Sequence, residues 1–313
     1  MESSRARRSR RVPRVYLALA VVAAVGGTAA GTVYVQAHAH SPSGAASAVS
    51  SSAAPPTVAA SEEASVEPVA QPTVDPDALL ADAMESVRVE DGAQVSVAVL
   101  DLESGESASY GDGSFDTASI VKVDVLATLL LQAQDEGRQL TSAEREYAAA
   151  MIENSDNAST SVLWETIGRA EGLAAANERF GLTSTEGGDG LLWGLTQTTA
   201  TDQLTLLQQV FGEDSELNED SRSYLQELMG QIAADQQWGV SAAADGSAWA
   251  LKNGWLPRST TGLWDVNSIG RVTTEDGRDF LVTVLSDGNT TKAAGVSMVE
   301  AAARAAVSVF SEA

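Results

Sequence analysis

The sequence contains no cysteine, and its only histidines are His38 and His40. Without cysteine the chain can form no disulfide bond, thiolate zinc site, thiol nucleophile or cysteine-linked lipid anchor. Both histidines precede the segment that we expect to fold, so a Ser-His-Asp triad or a histidine metal site is unavailable to it. Any hydrolytic reaction of this chain must therefore use another base, and we expect no metal ion and no cofactor.

Positive charge is also scarce. The chain has 19 lysines and arginines against 43 aspartates and glutamates, which gives a formal net charge of −24. A surface this acidic repels phosphate backbones, which argues against a nucleic-acid partner. Acidity of this kind is typical of a highly soluble surface, and we expect the folded part to be a monomer.

The N-terminal region combines a basic segment with a long apolar run. Six arginines lie within residues 1–14, and residues 15–35 are predominantly apolar. A run of this length can cross a bilayer, and the arginines would keep the N-terminus on the cytoplasmic side. The pattern predicts a single transmembrane anchor, with the rest of the chain outside the cytoplasm. A cleaved signal peptide is the alternative, because Ala37-His38-Ala39 resembles a small-x-small cleavage site, and the protein would then be secreted.

The next segment separates the anchor from a folded domain. Residues 36–75 are rich in Ala, Ser, Pro and Val, and they lack the bulk for a core, which predicts a disordered tether. The remaining residues, 76–313, form the predicted domain. Asp75 and Pro76 mark its start, since aspartate caps helices and proline favours the first helical position.

The order of elements within this domain predicts its fold class. The alternation over residues 95–99 is typical of a half-buried strand, and a second short strand ends near Tyr110. Helical patterns then continue to about residue 232. Three strands between residues 248 and 285 follow, and Met298–Phe310 is predicted to be a closing helix. This order favours an α+β architecture, with a five-stranded antiparallel sheet flanked by helices and a helical subdomain.

The segment Ser119-Ile120-Val121-Lys122 is the first candidate for chemistry, at the start of a helix predicted from about Ser119 to Asp135. Positions i and i+3 share one helix face, so the serine hydroxyl and the lysine amine can meet. A lysine desolvated among apolar neighbours can lose its proton near neutral pH and activate the serine, and the helix N-terminus can stabilise an oxyanion. Arginine cannot replace it, and the chain has only three lysines, Lys122, Lys252 and Lys292. Taken alone the motif is weak, since a serine three residues before a surface lysine occurs by chance in many proteins.

Two further motifs contain the residue types that such a reaction needs. In Ser155-Asp156-Asn157, a second hydroxyl can relay a proton and the asparagine amide can hold a substrate carbonyl and the lysine. The alternative for this motif is an ordinary helix N-cap. In Lys252-Asn253-Gly254, on a predicted strand, the lysine and the glycine share a face, so a substrate can approach the backbone beside a positive charge. The alternative there is an exposed strand that ends in a turn.

In this order the three motifs resemble the SxxK, SDN and KTG elements of class A β-lactamases and penicillin-binding proteins. The resemblance covers about residues 77–313 and implies a β-lactamase/transpeptidase-like fold and a serine hydrolase that takes small-molecule acyl substrates. It implies catalytic roles for Ser119, Lys122, Ser155 and Asn157. It implies substrate binding by Lys252, Asn253, Gly254 and Trp255.

The resemblance also implies how these residues divide the work. Ser119 would be acylated, while Lys122 and Ser155 would move protons and Asn157 would orient the substrate. The backbone N–H groups of Ser119 and Trp255 would form the oxyanion hole. Lys252 would steer a substrate carboxylate.

The sequence departs from the family in two places. Asn253 stands where the family has Thr or Ser, so the hydroxyl that usually binds the substrate carboxylate is missing, although an amide can substitute. The stretch corresponding to the omega loop, Leu182 to Thr199, lacks the family's glutamate followed three residues later by asparagine, which positions the deacylating water. Its carboxylates, Glu186 and Asp189, lie among glycines, a setting poorly suited to holding a water. Trp193-Gly194-Leu195-Thr196 follows, and it can line the pocket floor or pack in the core.

Three functions remain open at the level of sequence. The first is a hydrolase of β-lactams or of a related acyl substrate. The second is a D,D-peptidase or esterase acting on cell-wall or small-ester substrates. The third is a module that binds penicillin or cell-wall fragments without turnover. The complete SxxK and SDN motifs argue for chemistry, whereas the missing omega-loop base argues against fast turnover.

Overall fold

The computed structural model describes residues 75–244 and 248–310. The predicted basic segment 1–14, the predicted anchor 15–35 and all of the predicted tether 36–75 except Asp75 lie outside these residues. Within the described ranges, no helix combines the length and the apolar character needed to cross a bilayer.

Seven strands occur in the described residues, and five of them form the central sheet. The strands are β1 (Gln94–Asp101), β2 (Ser107–Tyr110), β3 (Phe115–Asp116), β4 (Gln197–Thr198), β5 (Trp249–Pro257), β6 (Trp264–Thr273) and β7 (Asp279–Asp287). The central sheet has the spatial order β2-β1-β7-β6-β5 and is antiparallel throughout. The predicted α+β fold with a five-stranded antiparallel sheet is therefore confirmed.

Eight α-helices of the described residues flank this sheet. They are α1 (Pro76–Met84), α2 (Val121–Asp135), α3 (Ser142–Glu153), α4 (Asn157–Thr166), α5 (Arg169–Phe180), α6 (Ala200–Phe211), α7 (Glu219–Gly230) and α8 (Lys292–Ser308). The alternation along β1 divides the core between two faces of the sheet. Val97 and Val99 join the core under α1 and α8, and Ala98 and Leu100 join the larger core around α2.

Helix α2 is the central helix of the larger core. Its side chains are buried on nearly every side, which is typical of a helix that lies inside a protein and not at its surface. Three polar side chains share this burial, Lys122, Asp124 and Thr128. A lysine in such a position must be hydrogen-bonded or lose its charge, because its position on α2 removes it from water.

The structure differs from the sequence expectations at the start of this helix. Ser119, the predicted first residue of the helix, lies in a 3-10 turn, Ala118–Ile120. The α-helix itself, α2, begins at Val121. The two-residue strands β3 and β4 pair with each other just before this turn. They were not predicted, because two residues are too short to show a period.

Candidate active site

Ser119 lies in the 3-10 turn between β3 and α2. The preceding residue, Ala118, has a φ of 48°, in the left-handed region that residues other than glycine rarely adopt. Thr117 is fixed on both of its backbone groups, because its N–H donates to the Thr196 carbonyl (2.8 Å) and its carbonyl accepts from Asn267 Nδ2 (3.1 Å). Strained backbone persists only where its surroundings fix it, and here the surroundings fix the backbone that leads into Ser119.

Gly254 brings β5 directly against this turn. A Cβ at this position would lie 2.8 Å from Ser119 N and 2.7 Å from the Thr117 carbonyl oxygen, which is closer than a side chain can approach. The glycine therefore allows the strand and the nucleophile's backbone to touch. Trp255 is the next residue along the strand, so its backbone N–H group adjoins the residue that contacts Ser119 N.

We expect Gly254→Ala to reduce the acylation rate of Ser119 by roughly 10- to 100-fold, because the added methyl group must push β5 away from the turn. The measurement is the second-order rate constant for labelling by a fluorescent penicillin. Gly230→Ala is the matched control, since a Cβ there meets no atom within 4 Å. Equal rates for Gly254→Ala and the unchanged protein would show that this contact does not position the nucleophile.

Lys122 lies on the first turn of α2 and is fully buried. Its Nζ donates to the Ser155 carbonyl oxygen (2.7 Å), to Ser155 Oγ (3.0 Å) and to Asn157 Oδ1 (2.9 Å). The structure thus brings the first two motifs together. None of these three bonds goes to Ser119, the residue that the amine was expected to meet. Hydrogen bonds of catalytic groups are often long without substrate and tighten only in the complex.

The second motif uses its three residues in two ways. Ser155 has a φ of 55°, and this left-handed turn directs both its carbonyl and its hydroxyl to Lys122. The Asp156 side chain accepts a hydrogen bond from Ser159 N (2.7 Å) and caps α4. The helix-cap alternative therefore holds for the aspartate, while the flanking serine and asparagine contact the buried lysine.

Lys252, on β5, completes the convergence. It is 1% exposed, and its Nζ donates to Ser155 Oγ (3.1 Å) and to the Asn253 carbonyl oxygen (3.0 Å). Ser155 Oγ therefore lies within hydrogen-bond distance of two lysine amines. Residues from all three motifs meet at one hydroxyl group.

Burial controls the charge of both amines. It lowers the pKa of Lys122 to about 7, because the charged form loses its hydration, and the nearby Asp156 carboxylate opposes this shift. Burial, followed by the charge of Lys122, lowers the pKa of Lys252 well below its usual range. A neutral amine is therefore available beside Ser155 near neutral pH, as a proton acceptor requires.

The side chain of Asn253 differs from the sequence expectation. Its Nδ2 donates to the backbone carbonyls of Gln236 (2.6 Å) and Trp238 (2.9 Å), and the residue is 1% exposed. Both amide protons are therefore used, so the amide cannot also bind a substrate carboxylate in this arrangement. The cause is the alternation of side chains along β5, which places Asn253 on the opposite face from Lys252 and Gly254.

The loop that corresponds to the omega loop contacts Lys122 through Trp193. The Lys122 amine lies 5.1 Å from the centroid of the tryptophan ring, and Trp193 Nε1 donates to Ser161 Oγ (3.2 Å). Both alternatives for this segment find support, because Trp193 packs against the larger core and also faces the Lys122 amine. An aromatic face near an amine stabilises the charged form and supplies no base.

The loop's two carboxylates lie elsewhere. Glu186 forms an antiparallel bridge with Gln197 through two backbone hydrogen bonds of 2.9 Å. This backbone is therefore held by hydrogen bonds. The glycines around it had instead indicated a flexible loop. The side chains of Glu186 and Asp189 are exposed, so neither is held against Lys122 or Ser155.

Two buried residues fix the turn before Ser119. Asn267 was not singled out from the sequence, and Thr196 was named only as part of the segment 193–196. Asn267 and Thr196 are fully buried, and each holds a backbone group of Thr117. Asn267 also accepts a hydrogen bond from Ser286 N (3.0 Å), so it links β6, β7 and the turn before Ser119. A buried asparagine within an apolar strand is the signal that could have identified it.

Comparison with known families agrees with this geometry. Residues 79–144 and 131–310 match the model of a family described as the beta-lactamase enzyme family. The chain belongs to this family.

Curated relatives match about half of this chain. The proteins named "Putative lipoprotein LppW" from Mycobacterium tuberculosis and Mycobacterium bovis are 27% identical to this beta-lactamase family member over 173 residues. The match covers 53% of this chain and 55% of LppW, so the chain spans about half the length of the curated relatives it matches.

Solved structures of low identity share the fold of this beta-lactamase family member. A PBP-A mutant, in an acyl-enzyme complex with penicillin G, has a TM-score of 0.64 and 20% identity, and the match covers 77% of this chain and 100% of that one. A class A beta-lactamase from Bacteroides cellulosilyticus has a TM-score of 0.65 and 15% identity, with 77% of this chain and 100% of that one covered.

Proposed function

We propose that this protein is an extracytoplasmic serine hydrolase that forms an acyl-enzyme on Ser119 with β-lactams or related acyl substrates. The observation that carries the proposal is that Lys122 and Lys252 both donate to Ser155 Oγ, and Lys122 also donates to Asn157 Oδ1. On the strand of Lys252, Gly254 lies against the turn that carries Ser119. Three separate stretches of sequence supply these side chains. A purely structural polar cluster would not need two buried lysines with depressed pKa values.

In the acylation step, neutral Lys122 accepts the hydroxyl proton of Ser119 as Oγ attacks the substrate carbonyl. The negative charge that develops on the carbonyl oxygen is stabilised by the backbone N–H groups of Ser119 and Trp255; the close contact of Gly254 with Ser119 N supports this assignment. The bond from the carbonyl carbon to the leaving nitrogen or oxygen then breaks. Ser155 donates its hydroxyl proton to that atom and is reprotonated from Lys122 at 3.0 Å.

Deacylation lacks an equivalent base in the described residues. A water opposite the acyl carbonyl needs a positioned proton acceptor, and Trp193 occupies the side of Lys122 that the loop reaches. This arrangement supports a protein that is readily acylated and that releases the acyl group slowly. It also favours the third candidate function, a module that binds penicillin or cell-wall fragments without turnover, over an efficient resistance enzyme.

The test of this proposal is pre-steady-state hydrolysis of a chromogenic cephalosporin by stopped flow. We expect a burst equal to the enzyme concentration and then a steady state at least about 100-fold slower, because a positioned general base contributes about 10²- to 10⁴-fold. Glu186→Gln and Asp189→Asn should leave both phases unchanged. Fast turnover without a burst, lost in either variant, would contradict slow deacylation and would indicate an efficient β-lactamase.

We also propose that the hydrolase lies on the outer face of the cell membrane, with residues 76–313 as the folded domain. The curated relatives named lipoprotein support an extracytoplasmic location. This chain has no cysteine, so a cysteine-linked lipid cannot hold it. The apolar run 15–35 would take that role, with 36–75 as a tether, unless the run is cleaved and the domain released.

A further inference from the structure

The end of β5 is held against the backbone that leads into the nucleophile at two points. β5 is an edge strand, and among the described strands it pairs only with β6. Gly254 is the first point, because it lies against Ser119 N. Arg258, the residue after β5, is the second, because its guanidinium group forms an ion pair with the Asp116 carboxylate. Trp255, whose backbone N–H is assigned to the oxyanion hole, lies between these two points.

Asp116 is itself fixed relative to the nucleophile. It is the last residue of β3, three positions before Ser119. Its carboxylate also accepts a hydrogen bond from Gln197 Nε2 on β4, and its carbonyl accepts one from Asn267 Nδ2 on β6 (2.9 Å). The Asp116 side chain is only 9% exposed, so water screens its charge weakly. Arg258 therefore pairs with a carboxylate whose position is already determined by two other strands.

The cavity beside this ion pair has an excess of negative charge. Asp116, Asp265 and Asp287 line about 400 Å³ of space, and Arg258 is the one basic residue of that lining. Asp265 is 4% exposed, and its Oδ2 accepts no hydrogen bond from any residue that the structure describes. An Arg258 nitrogen lies 3.7 Å from this oxygen. Loss of Arg258 would therefore leave three carboxylates without a counter-charge in the cavity, which disfavours the present arrangement.

The charges of the two aspartates respond to Arg258 in the same direction. Burial raises the pKa of Asp265 to about 6, and the positive charge of Arg258 opposes this shift. Burial also raises the pKa of Asp287, and Arg258 again opposes it. The guanidinium group thus compensates carboxylates on β6 and β7 as well as the one on β3.

The backbone of Arg258 connects this charge to β5. Arg258 N donates to the Leu263 carbonyl (2.8 Å), and the Arg258 carbonyl accepts from Gly262 N (2.7 Å). These bonds close the hairpin between β5 and β6 at the residue that carries the guanidinium group. A movement of Arg258 relative to Asp116 would therefore move the end of β5 with it.

We infer that Arg258 is a positioning residue for acylation. Its ion pair with Asp116 holds the end of β5 so that the Trp255 N–H group faces the carbonyl oxygen of a substrate at Ser119. This inference rests on the proposed function, because it concerns the acylation step. Arg258 itself makes no bond to the reacting atoms and transfers no proton. Its effect arises because an oxyanion donor works only in a narrow range of positions.

The experiment measures acylation of the full chain over a series of fluorescent penicillin concentrations. This separates the first-order acylation rate constant from the dissociation constant of the complex that precedes it. We expect Arg258→Ala to lower the rate constant by roughly 10- to 100-fold with little change in the dissociation constant. Arg258→Lys, which keeps the charge, should lose less. Methylguanidinium, added to Arg258→Ala, should enter the cavity and restore part of the rate constant.

Asp116→Asn keeps the volume of the side chain and removes its charge, so it should show the same loss of rate constant. The double variant Asp116→Asn/Arg258→Ala should lose little more than either single variant, because both remove one interaction. Arg179→Ala is the matched control. Arg179 is 40% exposed, against 38% for Arg258, and it also pairs with two carboxylates, Asp135 and Glu216. Its removal should leave the acylation rate constant unchanged.

Three results would overturn the inference. An unchanged rate constant in folded Arg258→Ala would show that the ion pair does not position β5, while the proposed function would stand. Additive losses in the double variant, with no effect of methylguanidinium, would show that Arg258 acts separately from Asp116. No acylation of Ser119 in the unchanged protein would refute the proposed function and this inference with it. Thermal unfolding shows whether each variant is folded, and Asp116→Asn provides the same test if Arg258→Ala is not.

Discussion

Ser119→Ala should abolish covalent labelling by a fluorescent penicillin, with the signal falling to background. The variant removes the hydroxyl group of Ser119, the residue whose backbone nitrogen lies against β5 at Gly254. Without a nucleophile no acyl-enzyme can form, whatever binding remains. Labelling is measured on denatured protein, so only covalent adducts count.

The control for this variant is Ser223→Ala, at an exposed serine on α7. It should label like the unchanged protein. Equal labelling of Ser119→Ala and Ser223→Ala would mean that another residue is acylated, and the assignment of the nucleophile would be wrong.

Lys122→Arg should slow acylation by about 10²- to 10⁴-fold, almost as much as Lys122→Met. Arginine keeps the positive charge but cannot give up its proton, and methionine keeps much of the volume but has no amine. If the lysine acted only through its charge, arginine would preserve the rate. The measurement is the second-order acylation rate constant, with thermal unfolding to confirm that each variant is folded.

The pH dependence of the acylation rate constant is a second test of the role of Lys122. Burial lowers the pKa of Lys122 to about 7, so the neutral amine predominates above that pH and the charged amine below it. The acylation rate constant should therefore fall about tenfold per unit as pH drops below about 7, and level off above it. A flat profile in the unchanged protein, or the same inflection in Lys122→Met, would show that another group supplies the proton transfer.

The motifs that the structure brings together could be found in the sequence because each of them is local. Lys122 follows Ser119 by three residues, and lysine is so rare in this chain that its presence within two of the three motifs was informative. The strands of the central sheet were predicted because alternation and hairpin signals are strong there. The sequence could not show that Ser155 Oγ lies between two amines, since that depends on residues 33 and 97 positions apart.

The features that escaped prediction depend on the tertiary structure. The amide of Asn253 was expected to face substrate, but the loop at Gln236 and Trp238 offers it two carbonyls. The 3-10 turn at Ser119 replaces the predicted helix start because Thr117 is tied to β6 through Asn267. The segment of Trp193 had two equal alternatives in the sequence, and in the structure its tryptophan both packs against the larger core and faces Lys122.

Peptide mapping by mass spectrometry after exposure to penicillin G tests the central claim most directly. The full chain is incubated with the antibiotic, quenched in acid, digested and sequenced. The account predicts one penicilloyl adduct per chain, on the peptide that contains Ser119, still present after excess antibiotic is removed. The absence of an adduct under conditions that trap slow acyl-enzymes, or an adduct on any other residue, would contradict it.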